Sequence, residues 1–263
     1  MWLDQLRAVV RRDFVTDVRY PVAFAFGLFD AAIVLVSYSF LSGVFGDHRP
    51  DGYAPLAFLL IGIALTDSLT TALVCFALGV RNSQQPGTMK ALLVLPLAPA
   101  RLMVLAMAYP FIRATFDFLV FLGVAAAIGV PLVGANVTGM IVTFVLAVGS
   151  IFVFGLASAS FALVFKRGDP VLWAVGTVTW LLSGVLYPTS LLPHWLGTLS
   201  QLLPTTHALS AMRAAVIDGA SWAAMAPDLG ALLAFDLIGL PAGLWLFAAA
   251  VQYAKRVGTL GHS

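Results

Sequence analysis

Long apolar runs separated by short charged islands limit this chain more than any other feature. Six runs, at 20–45, 54–80, 102–130, 137–165, 171–186 and 229–251, carry only isolated charges. In a bilayer every such run must satisfy its own backbone hydrogen bonds, which leaves helices or a closed barrel. The runs are continuous rather than alternating in polarity, and all but the fifth exceed the ~20 residues a perpendicular helix needs. The expectation is an all-α polytopic membrane protein with six transmembrane helices in one domain. Composition agrees, since 10% of the 263 residues are charged against about 25% in an average soluble domain.

Orientation follows from lysine and arginine, because cytoplasmic loops retain positive charge during insertion. Six crossings put both termini on one side, together with Arg7, Arg11, Arg12, Arg19, Arg81, Lys90, Arg101, Lys166, Arg167, Lys255 and Arg256. The opposite loops hold only Arg49 and Arg213. Both termini are therefore expected in the cytoplasm. Acids among the bases of 1–19 argue against a cleaved signal peptide there. The single cysteine, Cys75, lies in an apolar run, which excludes an internal disulfide and a thiolate metal cluster. No basic stripe suits nucleic acid.

Two segments are neither plain loops nor ordinary spans. In 1–19, Trp2, Leu3, Leu6, Val9, Val10 and Phe14 recur at helical spacing with Asp4, Arg7 and Arg11 opposite, the pattern of an amphipathic helix lying at the cytoplasmic interface. A solvated leader to the first span is the alternative. In 187–228, Leu191, Leu192, Trp195, Leu199, Leu202 and Leu203 are punctuated by Pro188, Pro193 and Pro204. Two short helices dipping into the outer leaflet would bury those residues, with the prolines setting the breaks. Helical periodicity resumes over 208–217 and Gly219 closes it.

Asp30, Asp67, Arg113, Asp117 and Asp236 fall within the runs. A charge at the centre of a lone span costs roughly a few kcal/mol, so each is expected to face protein or water. Arg113 and Asp117, spaced i, i+4, can pair on one face.

Two blocks of sequence resemble the permease subunits of ABC-2 type exporters. The first is Gly87-Thr88-Met89-Lys90-Ala91-Leu92-Leu93-Val94-Leu95-Pro96-Leu97, similar to the family's cytoplasmic stretch after the second span. The second comprises Gly184-Val185-Leu186-Tyr187-Pro188, Leu192-Pro193-His194-Trp195-Leu196 and Leu203-Pro204-Thr205-Thr206-His207-Ala208, ending at Arg213. It is similar to the family's signature around the fifth span. The family often has an acid in the first block, where this chain has Lys90 and contains no glutamate anywhere.

The resemblance implies two permease subunits, identical or related, docked on two cytoplasmic ATPase subunits that hold ATP and magnesium. This chain itself carries no phosphate-cradling Gly-x-x-x-x-Gly-Lys-Ser/Thr loop, so no cofactor is expected in it. The implied coupling elements are the N-terminal helix, with Arg7, Arg11 and Arg12, and the 81–101 loop, with Pro86, Gly87, Thr88, Met89, Lys90 and Leu92. Pro86 and Gly87 break the second helix and Thr88 can cap a short one; a merely connecting loop is the alternative. By resemblance the first, second and fifth spans line the path, which nominates Phe26, Phe29, Asp30, Asp67, Trp180 and Tyr187, with Phe40 and Trp173 as further aromatics. The alternatives are a local hydrogen bond for each acid and packing or interface anchoring for each aromatic. Pro188, Pro193, Trp195, Pro204, His207 and Arg213 are assigned to the outer re-entrant segment, where His207 and Arg213 tie its helices together.

The expected function is export of amphipathic small molecules, such as drugs or antibiotics, or of lipids across a prokaryotic cytoplasmic membrane, with a polysaccharide or glycolipid exporter as alternative. An intramembrane serine hydrolase is disfavoured. Ser158 and Ser160 lie in the fourth run, but His48, His194, His207 and His262 all lie outside the runs, and a serine nucleophile needs a base in reach. A channel would show a repeated polar face or a charged ring, and neither is evident.

Overall fold

The computed structural model describes residues 2–18, 53–83, 105–128, 134–165 and 170–256, with positions 33, 36, 37, 40, 43 and 50. The regular elements among them are helical: α1 (Trp2–Val18), α2 (Pro55–Ser83), α3 (Ala108–Ile128), α4 (Val137–Phe165), α5 (Pro170–Leu182), a 3₁₀ turn (Thr189–Leu191), α6 (His194–Ser200), α7 (Pro204–Val216) and α8 (Trp222–Arg256). Four stretches are long and apolar enough to cross a membrane: Pro55–Ala77, Ala108–Ala127, Val137–Phe165 and Trp222–Tyr253. The first apolar run of the sequence lies outside the described residues apart from isolated positions.

α4 is the axis of the bundle, packing against α2, α5, α7 and α8. Its sequence explains this role. Lipid tails are as apolar as leucine, so helices associate in a membrane through close packing rather than through expulsion of water. Small residues let backbones approach. A β-carbon added at Gly155 would lie 2.6 Å from the Phe76 ring of α2, and one at Gly149 would lie 2.6 Å from the Asp236 carboxylate of α8. α8 answers with its own glycines, for a β-carbon at Gly239 would press on Val153 at 2.9 Å and one at Gly243 on Leu156 at 3.0 Å. The same register brings Ser150 to Asp236, so α4 and α8 run parallel. Aromatic rings fill the wider gaps: Phe152 meets Phe76 edge-on at 5.6 Å, and Phe144 stacks on Phe118 of α3 at 4.9 Å.

The first part of α2, residues 55–65, is apolar all round and correspondingly enclosed, with Phe58, Leu59, Leu60 and Ile61 wholly buried. α8 is peripheral, and its Leu237, Ile238 and Trp245 are 67%, 74% and 73% exposed. Side chains of that size on an outer helix suit contact with lipid. Pro227 and Pro241 both lie inside α8; each lacks the amide hydrogen that would continue the helical ladder.

Three departures from the expected boundaries shape the end of the bundle near Gly184. α5 ends at Leu182, because Gly184 adopts φ +76° and turns the chain. Its 13 residues rise about 20 Å, short of the ~30 Å hydrocarbon core. α8 begins at Trp222, ahead of the expected 229, and takes Pro227 and Asp228 into its early turns, where the Asp228 carboxylate meets His207. The region after residue 203 is a single helix, α7, opened by Pro204 at its first turn, where proline's missing donor costs nothing. Gly219, at φ +58°, then reverses the chain so closely over Gly134 that a side chain there would strike the Gly134 carbonyl.

α1 forms over nearly the whole expected segment and packs against α3. Val9 and Val10 are half-buried, whereas Arg7, Arg11, Arg12 and Phe14 are exposed. The Arg12 Nε donates to Asp13 at 2.7 Å.

Candidate functional site

Three chain segments far apart in sequence meet at one end of the bundle. Asn136 caps α4, its Oδ1 accepting from the Gly139 amide at 2.9 Å. Its Nδ2 donates to the Ala220 carbonyl at 2.8 Å, and its amide donates to Ala215 at 2.8 Å. The Tyr53 hydroxyl, just before α2, donates to Asp218 at 2.8 Å. The starts of α2, α4 and α8 and the end of α7 are thus tied into one cap.

Arg213 anchors this cap from within. It is 5% exposed, and its guanidinium lies 3.5 Å above the Phe58 ring centroid, a cation–π contact strengthened by burial. Nη2 donates to the carbonyls of Gly184 at 2.9 Å and Val185 at 3.1 Å, and Nε donates to the Phe58 carbonyl at 3.3 Å. The planar fork of arginine can serve several acceptors at once, as a lysine ammonium cannot. Gly62 makes room for it, since a β-carbon there would lie 2.5 Å from Nη2 and 2.8 Å from the Val185 carbonyl. Arg213 therefore joins α7 to α2 and to the turn after α5.

A hydroxyl ladder continues the connection. Ser183 and Thr205 lie 2.5 Å apart, Ser200 donates to the Leu182 carbonyl at 2.7 Å, and Thr206 donates to the Ser200 carbonyl at 2.7 Å. The His207 ring bridges two more elements, with Nδ1 at 2.7 Å from Asp228 Oδ1 of α8 and Nε2 at 2.9 Å from the Gln201 carbonyl. Both facing atoms are acceptors, so the ring donates to both when doubly protonated and to one when neutral. Between these groups lies a cavity of about 260 Å³, lined by Tyr53, Ser183, Gly184, Thr189, Gln201, Thr206, His207, Ser210, Arg213 and Asp228.

The remaining nominated residues fall in several places. Pro188 and Pro204 are buried, whereas Pro193 and Trp195 are exposed. The Tyr187 hydroxyl donates to the Leu181 carbonyl, closing the turn after α5. Trp180 packs against the core, Trp173 on the same helix is 73% exposed, and Phe40 is 79% exposed. Asp67 is half-buried on α2. Arg113 and Asp117 pair at 3.2 Å as their spacing implies, and Asp236 accepts from the Ser150 hydroxyl at 2.7 Å. Phe26, Phe29, Asp30, Pro86, Gly87, Thr88, Met89, Lys90 and Leu92 lie outside the described residues. Among the described residues no cluster of three potential metal ligands occurs.

Sequence reasoning found Arg213 and His207 but missed Tyr53, Asn136, Gln201, Asp218 and Asp228, whose roles arise only from the meeting of distant loops. A usable signal existed for Gly62, a lone glycine between large apolar neighbours, because an isolated glycine in a helix implies a close approach.

Compared with known families, residues 4–217 match the model of the ABC-2 type transporter family. The match takes in most of the chain, from α1 to the end of α7, and includes the Arg213 anchor. The chain belongs to the ABC-2 type transporter family. Compared with curated protein sequences, it shows no significant match. As an ABC-2 family protein it is a multi-pass membrane protein and a transport subunit, and the serine-hydrolase reading falls away. Ser160 donates to the Leu156 carbonyl of its own helix.

Proposed function

We propose that this chain is the permease subunit of an ABC exporter that moves amphipathic small molecules or lipids outward across a prokaryotic cytoplasmic membrane. Two copies of the permease, identical or related, dock on two cytoplasmic ATPase subunits, which bind ATP and magnesium and close on each other to drive the helices. The family match over 4–217 carries this reading.

The physical arrangement is consistent with it. Six crossings, with 20–45 as the first and α5 as the inner part of the fifth, place the positively charged loops inside. The cap joined by Arg213, Asn136 and Tyr53 then faces outward. α1 and the 81–101 loop face the ATPase. Motion delivered there tilts α2, and through Arg213 it reaches α7 and the turn after α5. The exposed apolar faces of α5 and α6, with Trp173, Leu181 and Trp195, suit an amphiphile or lipid better than a hydrophilic solute.

Reconstitution with the ATPase in liposomes, assayed against a panel of amphiphilic drugs and lipids, tests the proposal. At least one amphiphile should stimulate hydrolysis and leave the inner leaflet in an ATP-dependent way. Stimulation by water-soluble compounds alone would refute the cargo assignment.

A further inference from the structure

The cap cavity is chemically specific. Its 260 Å³ would hold roughly eight waters and lies just under the roughly 300 Å³ where small-molecule sites begin. That is room for a headgroup rather than for a whole amphiphile. Its charged groups are already engaged: Arg213 by three carbonyls and an aromatic ring, and Asp228 Oδ1 by His207. The side chains of Thr189, Gln201 and Ser210 line the same space and make no hydrogen bond to any described residue. They offer two hydroxyls and an amide, each able both to donate and to accept.

Residues close in the chain to these lining groups have the opposite character. Leu191 stands two positions from Thr189 and is 72% exposed, and Leu202 follows Gln201 at 71%. A polar recess whose hydroxyl and amide groups bond no described residue, with exposed leucines close by in the chain, matches a ligand with an uncharged hydroxyl-rich head on an apolar tail. From this juxtaposition we infer that the cavity binds the headgroup of a glycosyl or polyol lipid. An anionic headgroup fits poorly, because the Asp228 carboxylate lines the space and the guanidinium is already spent on backbone carbonyls. The role of that lipid as cargo rests on the export reading; the binding does not.

The test therefore needs neither ATPase nor transport. The chain is placed in phosphatidylcholine nanodiscs doped equally with monoglucosyl diacylglycerol, phosphatidic acid or plain diacylglycerol, and the lipids retained after extraction are read by native mass spectrometry. The glucosyl lipid should be retained several-fold over diacylglycerol, and Ser210→Leu or Gln201→Leu should reduce it to the diacylglycerol level with melting unchanged. Where either leucine variant melts early, Thr189→Val serves instead. Equal retention of glucosyl lipid and diacylglycerol, preference for phosphatidic acid, or undiminished retention in folded variants would overturn the inference. Selective retention without ATP-dependent movement of the glucosyl lipid by the complex reconstituted with its ATPase would leave the site standing and overturn only the lipid's role as cargo.

Discussion

Arg213 and Gly62 occupy one another's space: the guanidinium of the first lies where a side chain on the second would stand, with 2.5 Å between Nη2 and the position of an added β-carbon. Gly62→Ala must therefore displace either the arginine or the α2 backbone. It should lower stability to nearly the same extent as Arg213→Met, about 2–4 kcal/mol, since either change orphans the buried Gly184 and Val185 carbonyls. The double variant should cost little more than either single change. Thermal unfolding in detergent measures all three, and plain additivity would show that the residues act separately.

Asp236 meets Ser150 over the bare backbone of Gly149. Asp236→Asn preserves an acceptor for the serine hydroxyl and should leave the melting temperature within a few degrees. Gly149→Val should push α8 from α4 and cost about 1–3 kcal/mol, as overpacking of a well-filled interface does. The valine change should also lower the yield of folded protein.

His207 holds α7 to α8 and to the end of α6. His207→Leu and Asp228→Leu should each loosen the cap by about 1–3 kcal/mol through the partner left unsatisfied, and together by less than the sum. Hydrogen exchange read by mass spectrometry should localise the effect to peptides covering 194–230. Uniform loosening of the whole bundle would contradict a local clasp.

Charge reversal at Arg12 or Lys90 should weaken substrate-stimulated ATP hydrolysis while membrane insertion and yield stay normal. Unchanged stimulation in both variants would remove α1 and the 81–101 loop from the coupling path.

Much of this architecture was legible in the chain. The extent of α4 was read to the residue because small and apolar side chains run unbroken from Val137 to Phe165. The Arg113–Asp117 pair follows from helical spacing alone. α5 was read too long because apolarity continues through Leu186, whereas the left-handed turn at Gly184 stops the helix. α8 was read too short because Pro227 and Asp228 interrupt the apolar run, whereas the helix starts before them at Trp222. Arg213 carried a family signal, but its acceptors are main-chain carbonyls, and those have no sequence signature. The cavity was invisible for the same reason, as its walls come from the start of α2, the turn after α5, α6, α7 and α8.

The most direct measurement is co-purification from native membranes followed by ATPase assay of the reconstituted pair. The account predicts that this chain brings down a cytoplasmic ATPase, and that hydrolysis by that partner responds to amphiphile only when the permease is present. Transport by the permease alone, or a partner whose activity ignores it, would contradict the account.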